Sequence, residues 1–335
     1  MNKYKIPLVM ILLFTGLKVL SAGQWPCVRG NQEGQASIKY SGGSPINEWH
    51  YIYKSGRRYQ MGLAVWSSPA LAVVGGRPMA FIGGYDQTLH ALDLIEKKAL
   101  WRKISNGEIA SAPAVGSVDG TDVVFWGSSD RTVYAFKAFS GQKLWTKELL
   151  EASNTLGKVH ISSPFLAGGK VYISCFAYDK SLPRNQQKGW LYCLDMKYGT
   201  IIWKLSVCSG MLSSPVGFEF NGKLMVAVAA RRGLLQCFDV SGTRPHRVWK
   251  FQMPHEVMGS PVISKGRKPV LFLGSKYGNL IAIDAGSGKE IWQKMAGNWI
   301  DNTACLGEVN GEKVVFAGSH DYNLYAFRAS DGEML

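Results

Sequence analysis

The sequence predicts an all-β propeller of four-stranded antiparallel blades, six in number and closed by the N-terminal strand. Three observations predict it. A small-small-proline step recurs along the chain, a tryptophan follows each step at a near-constant distance, and the residues between alternate with period two between turn signals. The steps are Ser67-Ser68-Pro69, Ser111-Ala112-Pro113, Ser162-Ser163-Pro164, Ser213-Ser214-Pro215 and Gly259-Ser260-Pro261, with Asn302-Thr303-Ala304 as a degenerate sixth. Trp101, Trp145, Trp203, Trp249 and Trp292 follow the five prolines at spacings of 32, 32, 39, 34 and 31 residues. Unrelated strands would not keep such a register. With 46% hydrophobic and 19% charged residues, the chain has enough apolar material for a large core.

At the N-terminus, residues 1–23 read as a secretory signal. Lys3 and Lys5 precede an apolar run over residues 6–14, and Ser21-Ala22-Gly23 offers the small residues of a cleavage site. The run is too short to cross a bilayer, so no transmembrane segment is expected and the protein is placed in the periplasm or outside the cell. Cys27 is not adjacent to the small-residue site, which argues against a lipid-anchored mature end. Residues 24–335 then form a single propeller domain, expected to be monomeric. Without the three lysines of the signal, the formal charge falls from +14 to +11. That field favours an acidic protein or an anionic envelope component as partner, with solubility as the bland explanation; export makes nucleic acid the least expected partner.

Each repeat explains its own residues. In residues 123–145, VVFWGSSDRTVYAFKAFSGQKLW, an apolar strand, a turn, an alternating strand and a second turn precede the outer strand. At the second turn, Asp93, Asp195, Asp239 and Asp284 are placed to bond their own backbone, while Gly141, Gly199, Gly288 and Gly332 can take positive φ. The terminal tryptophan offers a flat ring to fill the wedge between blades. Cys193 and Cys237 stand where other repeats have Ala91, Ala135, Ala282 and Ala326, and read as small apolar fillers. A disulfide between Cys175 and Cys193 across the third blade is weighed as one alternative. The sixth repeat ends before its tryptophan, and residues 48–54, EWHYIYK, carry the unpaired Trp49 that would complete it; a fragment of a larger propeller is the competing reading.

Leu280-Ile281-Ala282-Ile283-Asp284 followed by Gly288-Lys289-Glu290-Ile291-Trp292 resembles the pyrroloquinoline-quinone-like propeller repeat, and the resemblance extends over residues 25–335. It implies a fold shared by quinone-dependent dehydrogenases and by catalytically silent members such as the lipoprotein subunit of the outer-membrane barrel-assembly machinery, so it does not choose a function. The enzyme branch implies bound pyrroloquinoline quinone with calcium, often beside a vicinal cysteine pair. None of the six cysteines here adjoins another, there is no dense acidic cluster for calcium, and Cys-x-x-Cys-His is absent. No cofactor, metal ligand or catalytic residue is therefore expected.

The loops carry the functional signal. Tryptophan-to-proline spacing is 12 at most junctions but 20 before Pro69 and 19 before Pro164, and residues 178–189 add a stretch within the third repeat. In a four-stranded blade, the loops entering the first strand and those joining the second to the third emerge on one side. That side collects Arg57, Arg58, Tyr59, Trp66, Lys158, His160, Tyr178, Lys180, Arg184 and Lys188 from the long loops, and Arg131, Arg231, Arg232, Lys276, Tyr277, His320 and Tyr322 from the short turns. Arginine with aromatics on loops of a rigid scaffold is the composition of interface anchors, against the alternative of a solvated rim. Asp86, Asp130 and Asp321 recur at one turn position, where Arg232 and Tyr277 replace them. The leading reading is an exported, non-enzymatic scaffold docking an acidic partner on this face. The alternatives are a quinone-dependent oxidoreductase using His160 or Asp301 as acid–base, and a lyase or hydrolase acting on an acidic polymer.

Overall fold

A computed structural model describes residues 65, 67–151, 156–183, 187–208, 210 and 213–335. Trp49 and the strand expected to close the ring lie outside the described residues. Among those described there is no helix, only antiparallel sheet. The first sheet runs β1 (Ala70–Val74), β2 (Arg77–Gly83), β3 (Thr88–Asp93), β4 (Lys98–Ile104), and the second β5 (Ala114–Val118), β6 (Thr121–Gly127), β7 (Thr132–Lys137), β8 (Lys143–Glu148). The third holds β9 (Leu156–Ile161), β10 (Phe165–Ala167), β11 (Lys170–Asp179), β12 (Gly189–Asp195) and β13 (Ile201–Cys208). The fourth is β14 (Val216–Phe220), β15 (Lys223–Ala229), β16 (Leu234–Asp239), β17 (His246–Gln252), and the fifth β18 (Val262–Ser264), β19 (Val270–Gly274), β20 (Asn279–Asp284), β21 (Glu290–Met295). In the sixth, β22 (Cys305–Val309), β23 (Glu312–Gly318) and β24 (Leu324–Arg328) are followed by a single bridge from Phe327 to Met334. Consecutive sheets meet at their first strands, as in a propeller. The core is divided accordingly: each apolar cluster lies between two successive sheets, as where Phe125 and Trp145 of the second meet Val171 and Tyr192 of the third.

The proline step is a hydrogen-bonding device. Its first residue ties the blade to itself: the Oγ atoms of Ser67, Ser111, Ser162 and Ser213 accept from the N–H groups of Gly83, Gly127, Ser174 and Ala229 at 3.3, 3.2, 2.9 and 3.0 Å. Its second residue ties blade to blade. Ser163 Oγ accepts from Ala112 N–H at 2.8 Å, Ser214 Oγ from Ser163 N–H at 3.1 Å, Ser260 Oγ from Ser214 N–H at 3.1 Å and Thr303 Oγ1 from Ser260 N–H at 3.0 Å. A strand's edge groups would otherwise be left without partners at the crowded axis, and the short hydroxyls supply them. Ser214→Ala is expected to cost about 1–3 kcal/mol in urea unfolding, since it strips the acceptor from Ser163 N–H. Ser241→Ala, at an exposed turn, is expected to cost under about 1 kcal/mol.

The tryptophans lock each blade to the next. Trp101, Trp145, Trp249 and Trp292 donate Nε1–H to the carbonyls of Ala138, Met196, Ala285 and Ala329 in the following sheet, at 2.8–3.1 Å. Their rings lie on Gly141, Gly199, Gly288 and Gly332, which have φ of +65°, +69°, +72° and +74° and where any Cβ would stand within 2.8 Å of the indole. The third sheet differs: Trp203 has no acceptor for Nε1 among the described residues, and the turn after Asp239 has no glycine beneath the ring. The turn aspartates act on their own backbone. Asp93 Oδ1 accepts from Ile95 and Glu96 N–H, Asp195 Oδ1 from Lys197 and Tyr198 N–H, and Asp239 and Asp284 Oδ1 from Ser241 and Ser287 N–H.

One alternative does not hold, and one stretch expected as loop is strand. Cys175 and Cys193 do not form a disulfide; both are free and buried. Cys193 pairs in register with Tyr172, and Cys175 lies three residues further along β11, hence on the opposite face of the sheet. Burial pushes both thiols up to about 12, so neither is a reactive thiolate. The stretch is part of the long loop before Pro164: β9 lies end to end with β10 along the extended β11, broken at the proline step, and gives the third sheet a fifth strand.

Much of the basic charge sits away from the loops. The outer strands β4, β8, β13, β17 and β21 carry nine lysines and arginines against two glutamates. Charged side chains on exposed edge strands discourage edge-to-edge pairing, which accounts for a large share of the surplus without a ligand.

Candidate binding face

Backbone bonds join the turns between second and third strands to the loops that enter the first. Ser129 N–H donates to Glu108 O, Lys276 N–H to Glu256 O and His320 N–H to Trp299 O, at 2.8–3.0 Å, while Val257 N–H donates to Arg231 O at 2.8 Å. Both loop sets therefore share one side, and Arg131, His160, Arg231, Arg232, Lys276, Tyr277 and His320 lie there. Lys188 follows Gln187, whose buried amide closes the long hairpin with bonds to Asp179 and Leu182. Arg57, Arg58, Tyr59, Trp66 and Arg184 lie outside the described residues.

An aspartate governs the turn in three sheets. Asp86, Asp130 and Asp321 accept through Oδ1 from the N–H two residues on, and through Oδ2 they meet the ring four residues on: His90 Nε2 at 3.2 Å, Tyr134 Oη at 2.5 Å and Tyr325 Oη at 2.6 Å. The phenol of Tyr325 and neighbouring donors hold Asp321 down to about 2. The fourth and fifth sheets lose both halves together, with Arg232 and Gln236 in one and Tyr277 and Ile281 in the other. A phenol needs its acceptor, so the pair is exchanged as a unit. Tyr277 is left at φ 99°, a conformation costly for an aromatic residue, with its side chain in solvent.

Around these turns a continuous strip forms. The Tyr277 ring lies 4.3 Å from His255, Lys276 Nζ stands 5.2 Å from the Trp299 ring, and Trp299 is 5.7 Å from His320, whose Nε2 is 2.8 Å from Asp301 Oδ2. Tyr277 is 63% exposed, Trp299 43% and Tyr322 fully so, far beyond the buried blade tryptophans. On the other flank, Lys158 Nζ lies 2.5 Å from Glu108 and 5.3 Å from the Tyr85 ring. His160 stacks near Phe176, and desolvation, then the charge of Lys158, lowers its pKa.

The face is mixed rather than simply basic. Arg131 pairs with Glu148 at 3.0 Å, Lys158 with Glu108, and Arg231 and Lys276 both with Glu256. Sequence reasoning left out Glu108, Glu256, His255 and Trp299. A signal for three of them exists: Glu108, Glu256 and Trp299 each stand five residues before the proline position of their repeat, and each carbonyl accepts the turn N–H described above. Among the described residues no three His, Cys, Asp or Glu side chains group as metal ligands.

The family described as outer membrane protein assembly factor BamB matches residues 54–179 and 246–335. BamB from Moraxella catarrhalis superimposes with a TM-score of 0.54 at 17% identity, over 79% of this chain and 70% of that one. The computationally designed protein Ika8 gives 0.56 at 14% identity, over 77% and 70%. The tetrathionate hydrolase of Acidithiobacillus ferrooxidans is 26% identical over 165 residues, 43% of this chain, and the match spans only 32% of the hydrolase. With the two matched segments covering well over half of its length, the chain belongs to the outer membrane protein assembly factor BamB family.

Proposed function

We propose that the chain is an exported, non-enzymatic scaffold that docks an acidic protein partner on the face built by Arg231, Arg232, Lys276, Tyr277 and Trp299. The observation that carries this reading is the exposed aromatic and cationic strip that runs from the fourth and fifth sheets, where the aspartate lock is given up and Tyr277 is held at positive φ, to Trp299 at the entry to the sixth. Buried rings stabilise a fold; rings held in solvent on a rigid frame stabilise a contact. Membership of a family described by an assembly role in the outer membrane supports both the scaffold reading and an envelope location. A photo-crosslinking residue placed at Tyr277 or Trp299 is expected to give adducts of discrete mass with envelope protein, lost at high salt. The same residue at Arg267, exposed in the turn between β18 and β19 on the other side, is expected to give none. Equal adducts from both sides would overturn the reading, as would none from either. Stoichiometric quinone in the mass spectrum of the purified protein would move it to the oxidoreductase class.

A further inference from the structure

We infer that Arg231 and Lys276 form a carboxylate-binding site, occupied in the free protein by Glu256 and taken over by a carboxylate of the docked partner. The inference rests on the docking reading and names its central contact. Glu256 lies 3.3 Å from Lys276 Nζ and 3.8 Å from Arg231 Nε, the two longest lysine or arginine pairs among the described residues, while Lys158–Glu108 and Arg131–Glu148 on the same face close to 2.5 and 3.0 Å. Its carboxylate is half exposed, as is Arg231. A pair so long and so wet contributes little by itself.

Nor does the architecture need that carboxylate. The loop is fixed to both turns by backbone bonds, Lys276 N–H to Glu256 O at 2.8 Å and Val257 N–H to Arg231 O at 2.8 Å. The two cations thus stay in place when the side chain leaves. What the side chain does is neutralise them, so that an incoming carboxylate must displace it. The walls favour the exchange. Trp299 lies beneath the Lys276 ammonium, and the exposed Tyr277, with His255 tilted against it, comes from the residues next to Lys276 and Glu256, so a partner that covers these rings excludes water and strengthens its own ion pair beyond what Glu256 attains. The partner segment is accordingly one with an acidic residue next to an aromatic or aliphatic one.

The test uses a fluorescein-labelled peptide, Glu-Trp-Glu-Trp-Glu, its glutamine counterpart, and anisotropy at low salt with the full-length mature protein. Glu256→Gln is expected to tighten binding of the acidic peptide by about three-fold or more, because the internal competitor is gone. Arg231→Ala and Lys276→Ala are each expected to weaken it, and Arg231→Ala is expected to cancel most of the gain when combined with Glu256→Gln. An unchanged urea midpoint for Glu256→Gln verifies the fold. Unchanged or weaker binding by Glu256→Gln, equal binding of the glutamine peptide, or no binding of either peptide would overturn the inference. If crosslinks from Tyr277 persist in any of those cases, the docking reading stands and this site alone fails. If the crosslinks are absent, both fail.

Discussion

Alanine in place of Gly288 is expected to lower the unfolding free energy by about 3 kcal/mol or more, whereas alanine in place of Gly222 is expected to cost about 1–2 kcal/mol. The two glycines share a backbone, with φ of +72° and +73°. They differ in what a methyl group would meet. At Gly222 nothing lies within 4 Å; at Gly288 the Cβ would stand 2.6 Å from Cδ2 of Trp249 and 2.7 Å from its Cε3. The left-handed conformation penalises both substitutions alike. Only at Gly288 must the blade lock also yield, and the ring cannot retreat without breaking the Nε1–H bond to Ala285 O at 2.8 Å and exposing an indole that is 8% accessible. Urea unfolding of the two variants beside the parent isolates this packing contribution. Equal losses would show that the tryptophan does not clamp one blade to the next.

These glycines mark where the sequence was most legible. A repeat imposes the same neighbours on the same position, so the proline steps, the turn aspartates, the positive-φ glycines and the tryptophans could be aligned within one chain. The placement of Ala91, Ala135, Cys193, Cys237 and Ala282 opposite the tryptophans follows from the same register. What breaks the repeat was not legible. β11 and β12 pair without a shift, from Lys170 with Asp195 to Phe176 with Gly189, but the long hairpin between them hides that register in the sequence, so the opposite faces of Cys175 and Cys193 could not be assigned. Residues 156–161 read as loop because the strand they join, the extension of β11, belongs to the insertion itself. At the binding face, cations were visible as residue types, but their acids come from loops of another repeat element. Glu256 meets Arg231 and Lys276 only once the fourth and fifth sheets are side by side.

That distinction between charge as composition and charge as placement sets the second large expectation. Replacing Arg231 and Arg232 by glutamate, or Trp299 by alanine, is expected to weaken docking by about 2 kcal/mol or more, roughly 30-fold, in quantitative crosslinking from Tyr277. Replacing Lys250 and Lys294 by glutamate, on the outer strands β17 and β21, changes the net charge by the same amount and is expected to weaken docking by less than about two-fold at physiological salt. All four basic residues are exposed, so neither pair should disturb the core. The comparison separates two ways of using a basic surface. A partner steered by the overall field would lose affinity equally to both pairs, and Trp299→Ala would leave it untouched. A partner seated on the strip would ignore the outer strands and depend on the ring, because covering Trp299 beneath Lys276 removes water from the ion pairs formed beside it. The outer lysines would then be read as protection of sheet edges, and the formal charge as the sum of two unrelated devices.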